Sequence, residues 1–195
     1  MDDQQTGRRG RPRLPSTDER IIAAALALVR ESGPQAVTVE SVASRSSVAR
    51  TTIYRRYRDR DELLRAAVNA VADQPVPPPH LSVREKLRWV LTRARAVLEE
   101  GLGRGGVAAV LTDSAPEFTE AFRTALALHL EPLKTAIVVD VEAGLLRTDL
   151  DADVVLDLVF GAYLGEVLRH DQPSTDWLDR TLDMLVIALC PPGQR

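Results

Sequence analysis

A short proline-rich segment divides the chain and limits what each part can form. Between Gln74 and His80 the sequence reads QPVPPPH, and four prolines in seven residues exclude a continuous helix there. On both sides of this segment, apolar residues recur at the three- and four-residue spacing of amphipathic helices. We therefore predict an all-α fold with an N-terminal arm at 1–15, a first domain at 16–73, a linker at 74–80 and a second domain at 81–195.

Start and stop signals predict about nine helices, four of them before the linker. Ser16 followed three residues later by Glu19 is a capping-box pattern, which predicts the start of the first helix. Gly33 with Pro34 predicts its end. Pro132 falls inside the longest predicted helix, which we expect to be kinked or split there. The predicted helices lie at about 16–33, 39–45, 49–57, 59–73, 82–100, 104–112, 116–143, 152–169 and 174–189.

Positive charge is concentrated in the first sixty residues. They contain twelve arginines and seven acidic residues, a balance of +5, although the whole chain has a net charge of −3. The stretch RTTIYRRYRDRDELL, from Arg50 to Leu64, places five arginines within eleven residues. This asymmetry predicts that the first part of the chain meets a polyanion, and a solvated basic face is the alternative interpretation.

The segment from Thr38 to Tyr57 fits a helix-turn-helix, in which two short helices are joined by a tight turn and the second helix is basic. Helical spacing places Ile53 and Tyr57 toward the preceding helices, so the opposite side of the second helix is polar. A helix with such an outer face fits a major groove of DNA. Its outward residues are Arg50, Thr51, Tyr54, Arg55 and Arg58.

Arg60 begins the next predicted helix, where a cation opposes the positive end of the helix dipole. A phosphate beside the free backbone N–H groups of that helix would offset this repulsion. We therefore expect Arg60 to clamp a phosphate, and a solvated arginine is the alternative.

These residues resemble those of a known family. The string TVESVASRSSVARTTIYRRYRDRDELL, from Thr38 to Leu64, resembles the DNA-binding domain of tetracycline-repressor (TetR) type regulators. The shared features are a threonine that opens the second helix, a valine in the turn, the pattern T-[IL]-Y-x-x-[FY], and an acidic-capped helix that leads into E-L-L. Two positions depart from the family pattern: Ser47 replaces a turn glycine and is expected to be left-handed, and Ala49 cannot cap a helix with its side chain.

The resemblance implies which residues contact DNA. The N-terminal arm RRGRPR is similar to the Gly-Arg-Pro core of AT-hooks, so Arg11 and Arg13 are expected in the adjacent minor groove. A solubilising tail, or one that only attracts phosphates, is an equal alternative. The other positions that commonly contact DNA in the family are Thr38, Arg50, Thr51, Thr52, Tyr54, Arg55, Arg56 and Arg60.

The helix within DADVVLDLVFGAYLGEVLRH, from Asp151 to His170, is apolar around more than one stripe, which predicts burial on two sides. Asp157 and Glu166 argue against a membrane span. By resemblance, this helix and the last one form a four-helix dimer interface, and a large monomeric core is the alternative. The expected interface residues are Val154, Leu158, Gly161, Gly165, Leu168, Leu178, Leu182 and Leu185.

The resemblance also implies a small-molecule effector pocket in the second domain. Aromatic residues there are expected to line a largely apolar pocket, with His129 and Tyr163 as polar groups. Packing in the core is the alternative for each of them. The candidates are Trp89, Phe118, Phe122, His129, Phe160 and Tyr163.

No motif for catalysis or metal binding accompanies these features, so we expect neither an enzyme nor a cofactor. The acidic residues Asp149, Asp151 and Asp153 alternate as in a calcium loop, but the required glycine and distal glutamate are missing. They are expected to cap the following helix instead.

The function predicted from the sequence is that of a homodimeric, ligand-responsive transcriptional regulator, a repressor that binds a palindromic double-stranded DNA operator. The absence of a signal-peptide segment, of long apolar runs and of a second cysteine predicts a cytoplasmic protein without a membrane partner. The resemblance further implies a bacterial protein associated with the nucleoid. One alternative is an architectural DNA-binding protein that has no effector and little sequence preference. Another is an enzyme that uses a cavity of the second domain.

Overall fold

The computed structural model describes residues 15–72, 76–170 and 172–193, and these residues form helices, turns and loops without a β-strand. A 3-10 turn at Pro34–Ala36 follows the first helix, and a π-helical turn at Val97–Leu102 continues the fifth. The prediction of an all-α fold is confirmed. The α-helices are α1 (Thr17–Ser32), α2 (Val39–Ser46), α3 (Arg50–Arg56), α4 (Arg60–Ala72), α5 (Val83–Ala96), α6 (Gly103–Thr112), α7 (Pro116–Glu142), α8 (Ala152–His170) and α9 (Trp177–Leu189).

Polar caps define where the helices begin. The Ser16 hydroxyl accepts a hydrogen bond from the Glu19 backbone N–H at 3.1 Å, and the Glu19 carboxylate accepts one from the Ser16 N–H at 2.6 Å. The capping box predicted for α1 is therefore present. The Asp151 carboxylate accepts from the N–H groups of Asp153 and Val154 at 2.8 and 3.1 Å, so the prediction that this acidic segment caps α8 is also confirmed.

The long helix α7 continues through Pro132, so it is not split there, and a kink at this residue stays a prediction. A proline within a helix removes one backbone hydrogen bond and crowds the preceding turn. The neighbours of α7 offset this cost, because α7 packs against α4, α6 and α8 along its length. Tertiary packing therefore overrides the local signal at this position.

Buried apolar residues form one cluster that passes through both halves of the chain. Ile21 and Ile53 are fully buried in the N-terminal half, and Leu91, Phe118 and Leu182 are buried in the C-terminal half. The division into two domains stays a prediction, because this core is shared between α1 and α4 on one side and α6 and α7 on the other. Within the described residues, no helix combines the length and the apolar character needed to cross a membrane.

Glycines allow the two halves to approach each other closely. A Cβ atom at Gly105 in α6 would lie 2.4 Å from the Val29 carbonyl oxygen and 2.5 Å from the Gly33 nitrogen. At Gly101 in the π-helical turn, a Cβ would lie 2.4 Å from a methyl carbon of Val71. Only glycine fits these two positions, so α6 and the π-helical turn rest directly on α1 and α4.

The contact of α6 with the α1 backbone predicts a large effect of a small substitution. Gly105→Ala should lower the free energy of unfolding by about 1–3 kcal/mol, because neither backbone atom facing the new methyl group can move aside cheaply. Urea denaturation followed by circular dichroism would measure this loss. An unchanged urea midpoint would show that the two helices are not in the close contact described.

Candidate nucleic-acid interface

The helix-turn-helix begins with a reciprocal cap at Thr38. The Thr38 hydroxyl accepts a hydrogen bond from the Ser41 backbone N–H at 3.1 Å, and the Ser41 hydroxyl oxygen accepts one from the Thr38 N–H at 2.9 Å. The predicted N-cap is confirmed, and Ser41 completes a capping box in the position that glutamate or glutamine usually occupies. This arrangement fixes the start of α2.

The turn between α2 and α3 contains the one left-handed residue of the motif. Ser47 has φ of 54°, as expected from its position in place of a glycine. The Arg20 guanidinium donates to the carbonyl oxygens of Ser46 and Ser47 at 2.6 and 3.1 Å. Arg20 was not among the predicted site residues. The one indication in the sequence was its position near the start of α1, where a cation opposes the positive end of the helix dipole. It ties the turn to α1 and so helps to position α3.

The two faces of α3 differ as predicted. Ile53 is fully buried, and Tyr57 is half-buried, which raises the pKa of its hydroxyl. Ala49 provides no side-chain cap, also as predicted. On the outer face the side chains of four residues are exposed, Tyr54 to 53%, and Thr52 beside them is half-buried. The exposed four are Arg50, Thr51, Tyr54 and Arg55.

Two arginines on this face remain available to an external anion. Arg50 lies 3.7 Å from the Glu40 carboxylate, with both side chains largely exposed. Exposed pairs of this kind contribute little, so a phosphate or a base can displace Glu40 at small cost. Arg55 has no hydrogen-bonding or ionic side-chain partner among the described residues.

Two other arginines are engaged by the protein. Arg56 lies 3.0 Å from the Asp18 carboxylate of α1, and its side chain is only 32% exposed. Arg58 donates to Glu62 both from its backbone N–H at 2.7 Å and from Nε at 3.2 Å. These two bonds, the backbone one first, lower the pKa of the Glu62 carboxyl. The same contacts join α3 to α1 and to the start of α4.

Arg60 has a different role from the expected phosphate clamp. Its Nε donates to the Val37 carbonyl at 2.9 Å, and Nη2 donates to the Pro34 carbonyl at 2.6 Å. The third guanidinium nitrogen lies 3.4 Å from the Asp61 carboxylate. All three nitrogens thus have protein partners, and the Pro34 carbonyl accepts a second hydrogen bond from the Val37 N–H at 3.1 Å. The expected contacts of Arg11 and Arg13 lie outside the described residues.

Three of the six predicted effector residues lie together on a cavity wall. Trp89, His129 and Phe160, all half-buried, face a narrow cavity between α5, α7 and α8, together with Arg93. No group of three or more histidine, cysteine, aspartate or glutamate side chains suited to a metal ion occurs among the described residues.

The other three predicted effector residues lie elsewhere. Phe118 and Phe122 are buried in the shared core, so they pack as the alternative interpretation allowed. The ring of Tyr163 meets Trp177 edge to face, with ring centroids 5.8 Å apart, and burial raises the pKa of its hydroxyl. Aromatic content alone did not distinguish a cavity wall from core packing.

The outer face of α8 is apolar and exposed. Val154 and Leu158 are exposed to 54% and 49%, and Leu168 near the end of the helix to 87%. Gly161 and Gly165 lie between them, and a Cβ at either position would meet nothing within 4 Å. The predicted α8 residues therefore share a surface that has no covering element among the described residues.

The predicted seam on α9 is mostly buried within the protomer. Leu182 and Leu185 are buried and Leu178 is half-buried, so these leucines contribute to the core. Helical spacing identifies an apolar stripe, but it does not tell whether the stripe packs against the same chain or another one. The α9 residues that line the groove beside Val154 and Leu158 are Thr181, Met184, Leu185 and Ala188.

Two family profiles match the sequence and together span most of the described chain. The profile described as bacterial regulatory proteins, tetR family, matches residues 21–67. The profile described as tetracyclin repressor-like, C-terminal domain, matches residues 77–185. The first covers most of α1 and all of α2 and α3, and the second begins just before α5.

Individual proteins give a consistent result. The chain is 30% identical to the HTH-type transcriptional regulator YdeS of Bacillus subtilis in an alignment of 186 positions that covers 91% of each protein. In structure it is similar to TylP, a TetR regulator from Streptomyces fradiae, with a TM-score of 0.72, 21% identity, and coverage of 91% of this chain and 88% of that one. It is also similar to the regulator FadR of Bacillus subtilis in complex with stearoyl-CoA, with a TM-score of 0.65, 21% identity, and coverage of 86% and 96%.

The contacts of Arg60 predict a stability role for this residue. Arg60→Ala should lower the free energy of unfolding by about 1–3 kcal/mol, because the Val37 carbonyl loses its donor and the Pro34 carbonyl keeps only the Val37 N–H. Arg55→Ala, which removes an equal charge from an exposed site, should change it by no more than about 0.5 kcal/mol. Both are measurable by chemical denaturation, and equal effects of the two substitutions would refute the structural role.

Proposed function

Because this chain belongs to the TetR family of bacterial transcriptional regulators, we propose that it is a ligand-responsive repressor that binds operator DNA as a homodimer through α3. The observation that carries this proposal is the two-sided character of α3. Ile53 anchors the helix in the core, while arginine, threonine and tyrosine side chains project from its other side. These groups hydrogen-bond to base edges and phosphates in a major groove.

The contacts divide between base reading and backbone binding. Arg50 and Thr51 begin α3, and the start of a recognition helix usually reaches base edges. Tyr54 and Arg55 follow one turn later on the same side. Thr38, Thr52 and Arg56 border this face. Thr38 caps α2 and Arg56 pairs with Asp18, so these side chains are suited to hold the motif against phosphates more than to read the base sequence. The N-terminal arginines Arg11 and Arg13 would enter the neighbouring minor groove.

A two-fold operator requires two copies of α3 at a fixed distance. The exposed apolar surface of α8 and α9 supports a dimer, because soluble monomers rarely leave a contiguous surface of this kind uncovered. Pairing α8 and α9 with the same helices of a second copy would form a four-helix interface. The two α3 helices would then enter successive major grooves, about 34–36 Å apart.

An effector would control the distance between the two α3 helices. The narrow cavities beside α5 support effector binding, and so does the stearoyl-CoA bound by the structurally similar FadR. From α5 the π-helical turn leads to the glycine contacts with α4 and α1, and the Arg30 guanidinium donates to the Glu100 carbonyl in that turn. A coupling free energy of about 1–3 kcal/mol along this route would change operator occupancy about five- to 150-fold. Such a regulator would act at the nucleoid in the cytoplasm.

Selection of binding sites from a random DNA pool tests the proposed DNA recognition. We expect a palindromic sequence to be enriched, and Arg50→Ala to relax the base preference at one position of each half-site by about 1–3 kcal/mol. Arg88→Ala removes an equal charge from α5 and should leave the preference intact. Equal affinity for random and selected DNA at physiological salt would instead indicate an architectural binder.

A charge on the α8 surface tests the dimer. Leu158→Glu should convert the protein to a monomer, because two carboxylates would be buried near the two-fold axis without partners. Leu111→Glu places the same charge on an exposed leucine of α6, away from this surface, and should leave the assembly unchanged. Analytical ultracentrifugation measures both masses. A Leu158→Glu protein that remains dimeric would place the interface elsewhere.

A further inference from the structure

Two cationic side chains of α5 extend to the cavities that separate this helix from α7 and α8. Lys86 and Arg93 are seven residues apart, which is close to two helical turns, so they lie on the same face. Lys86 lines one cavity and Arg93 lines the other. The two cations differ in their partners: Lys86 pairs with an acidic side chain, and the Arg93 Nε has no acceptor.

Lys86 has an acidic partner within the protein. Its ammonium group donates to both carboxylate oxygens of Asp140 in α7, at 2.7 and 3.0 Å. The side chains of Lys86 and Asp140 are only 14% and 8% exposed, so this is a buried, neutralised pair. That cavity therefore presents an apolar lining with no net charge.

Arg93 has no such partner. Its Nε is buried without a hydrogen-bond acceptor, and no ion pair joins its guanidinium to an acidic side chain among the described residues. The rest of its cavity wall consists of apolar and aromatic side chains and one imidazole, that of His129. A charged donor in such surroundings is costly unless an acceptor meets it, because desolvation is not repaid. Among the described residues, no carboxylate lies on this wall.

The two cavities adjoin one another. Val90 of α5 and Leu133 of α7 line both of them, so together they form one elongated, mainly apolar site with an unpaired cation in only one part. Each part is narrow, with about 40 and 50 Å³ open to the centres of water molecules. A water molecule needs about 10–15 Å³ of such space, so each part can hold a few waters. A larger ligand must therefore part α5 from α7 and α8.

We propose that the effector is an elongated apolar carboxylate whose carboxylate binds Arg93. The planar guanidinium matches a carboxylate in a bidentate arrangement, and the His129 imidazole can donate one further hydrogen bond. The apolar chain extends past Val90 and Leu133 into the part beside Lys86, where Asp140 already occupies the ammonium group. This assignment rests on the proposed function in one respect, which is that the ligand of this site is taken to be the effector of the regulator.

The site of the carboxylate also suits regulation. Arg93 lies in the last turn of α5, and its backbone carbonyl accepts a hydrogen bond from Val97, the first residue of the π-helical turn. A ligand that holds Arg93 and widens the cavity therefore acts on the segment that packs against α4 and α1. The ligand is bound where its displacement of α5 passes most directly to the DNA-binding helices.

Three probes of equal length test the chemistry of the site. Calorimetric titration of the full chain with decanoate, decan-1-ol and decylamine compares an anion, a neutral molecule and a cation. A charged hydrogen bond formed in a desolvated site predicts that decanoate binds about ten- to hundredfold more tightly than decan-1-ol, with decylamine weaker still. Equal binding of acid and alcohol would indicate a merely hydrated arginine and would overturn the proposal, as would the absence of binding by all three probes.

Two variants locate the effect. In Arg93→Met the affinity for decanoate should fall to that for decan-1-ol, whose own affinity should stay unchanged. Arg95→Met removes the same charge from an exposed position on α5, where the arginine pairs with Glu99, and should keep the preference for the acid. A preference for decanoate that persists in Arg93→Met would overturn the assignment. Quenching of Trp89 fluorescence, absent in Trp89→Phe, provides a second measure that the probe occupies this cavity.

Binding of selected DNA, measured separately by fluorescence anisotropy, distinguishes the two proposals. If the protein binds its operator but shows no preference for decanoate, the carboxylate assignment fails and the regulatory function stands. If decanoate binds with the expected dependence on Arg93 but no DNA sequence is preferred, the ligand site stands and the proposed repressor function fails.

Discussion

The contact of α6 with the backbone of α1 is the constraint on which the rest of the structure depends. With no side chain at Gly105, the helix rests directly against the carbonyl of Val29 and the end of α1 at Gly33. Because α1 packs against α2 of the helix-turn-helix and α6 follows directly from the π-helical turn, the two halves meet at a contact that has no flexible side chain in it. Packed contacts of this kind transmit displacement instead of absorbing it.

Arginine serves opposite purposes in the N-terminal half. Arg20 and Arg60 donate to backbone carbonyls of the turn and of the 3-10 segment, so their charge is used to hold irregular backbone in place. Arg50 and Arg55 have weak partners or none, so their charge remains available on the outer face of α3. The basic character of the sequence is thus partly structural, and the count of arginines overstates the surface offered to DNA.

Features that depend on neighbours in sequence were predicted well, and features that depend on distant neighbours were not. The Ser16–Glu19 capping box follows from residues within one turn of the chain, and the left-handed Ser47 was expected from the glycine that the family has at this position. The roles of Arg60 and Leu182 could not be inferred in this way, because the carbonyls that bind Arg60 lie more than twenty residues away and an apolar stripe does not identify what covers it. The unpaired Arg93 likewise becomes visible only when α7 and α8 are placed around α5.

The π-helical turn that ends α5 sets the rotational phase of everything after it. If the segment from Val97 to Leu102 had ordinary α-helical hydrogen bonds, the residues after it would shift in register. Each residue of shift would rotate them about the helix axis by about 100°. Glu100 or Leu102 would then face Val71 in place of Gly101, where even a methyl group does not fit. The π-helical turn and Gly101 are therefore interdependent. The turn places the glycine against Val71, and the glycine leaves room for that contact.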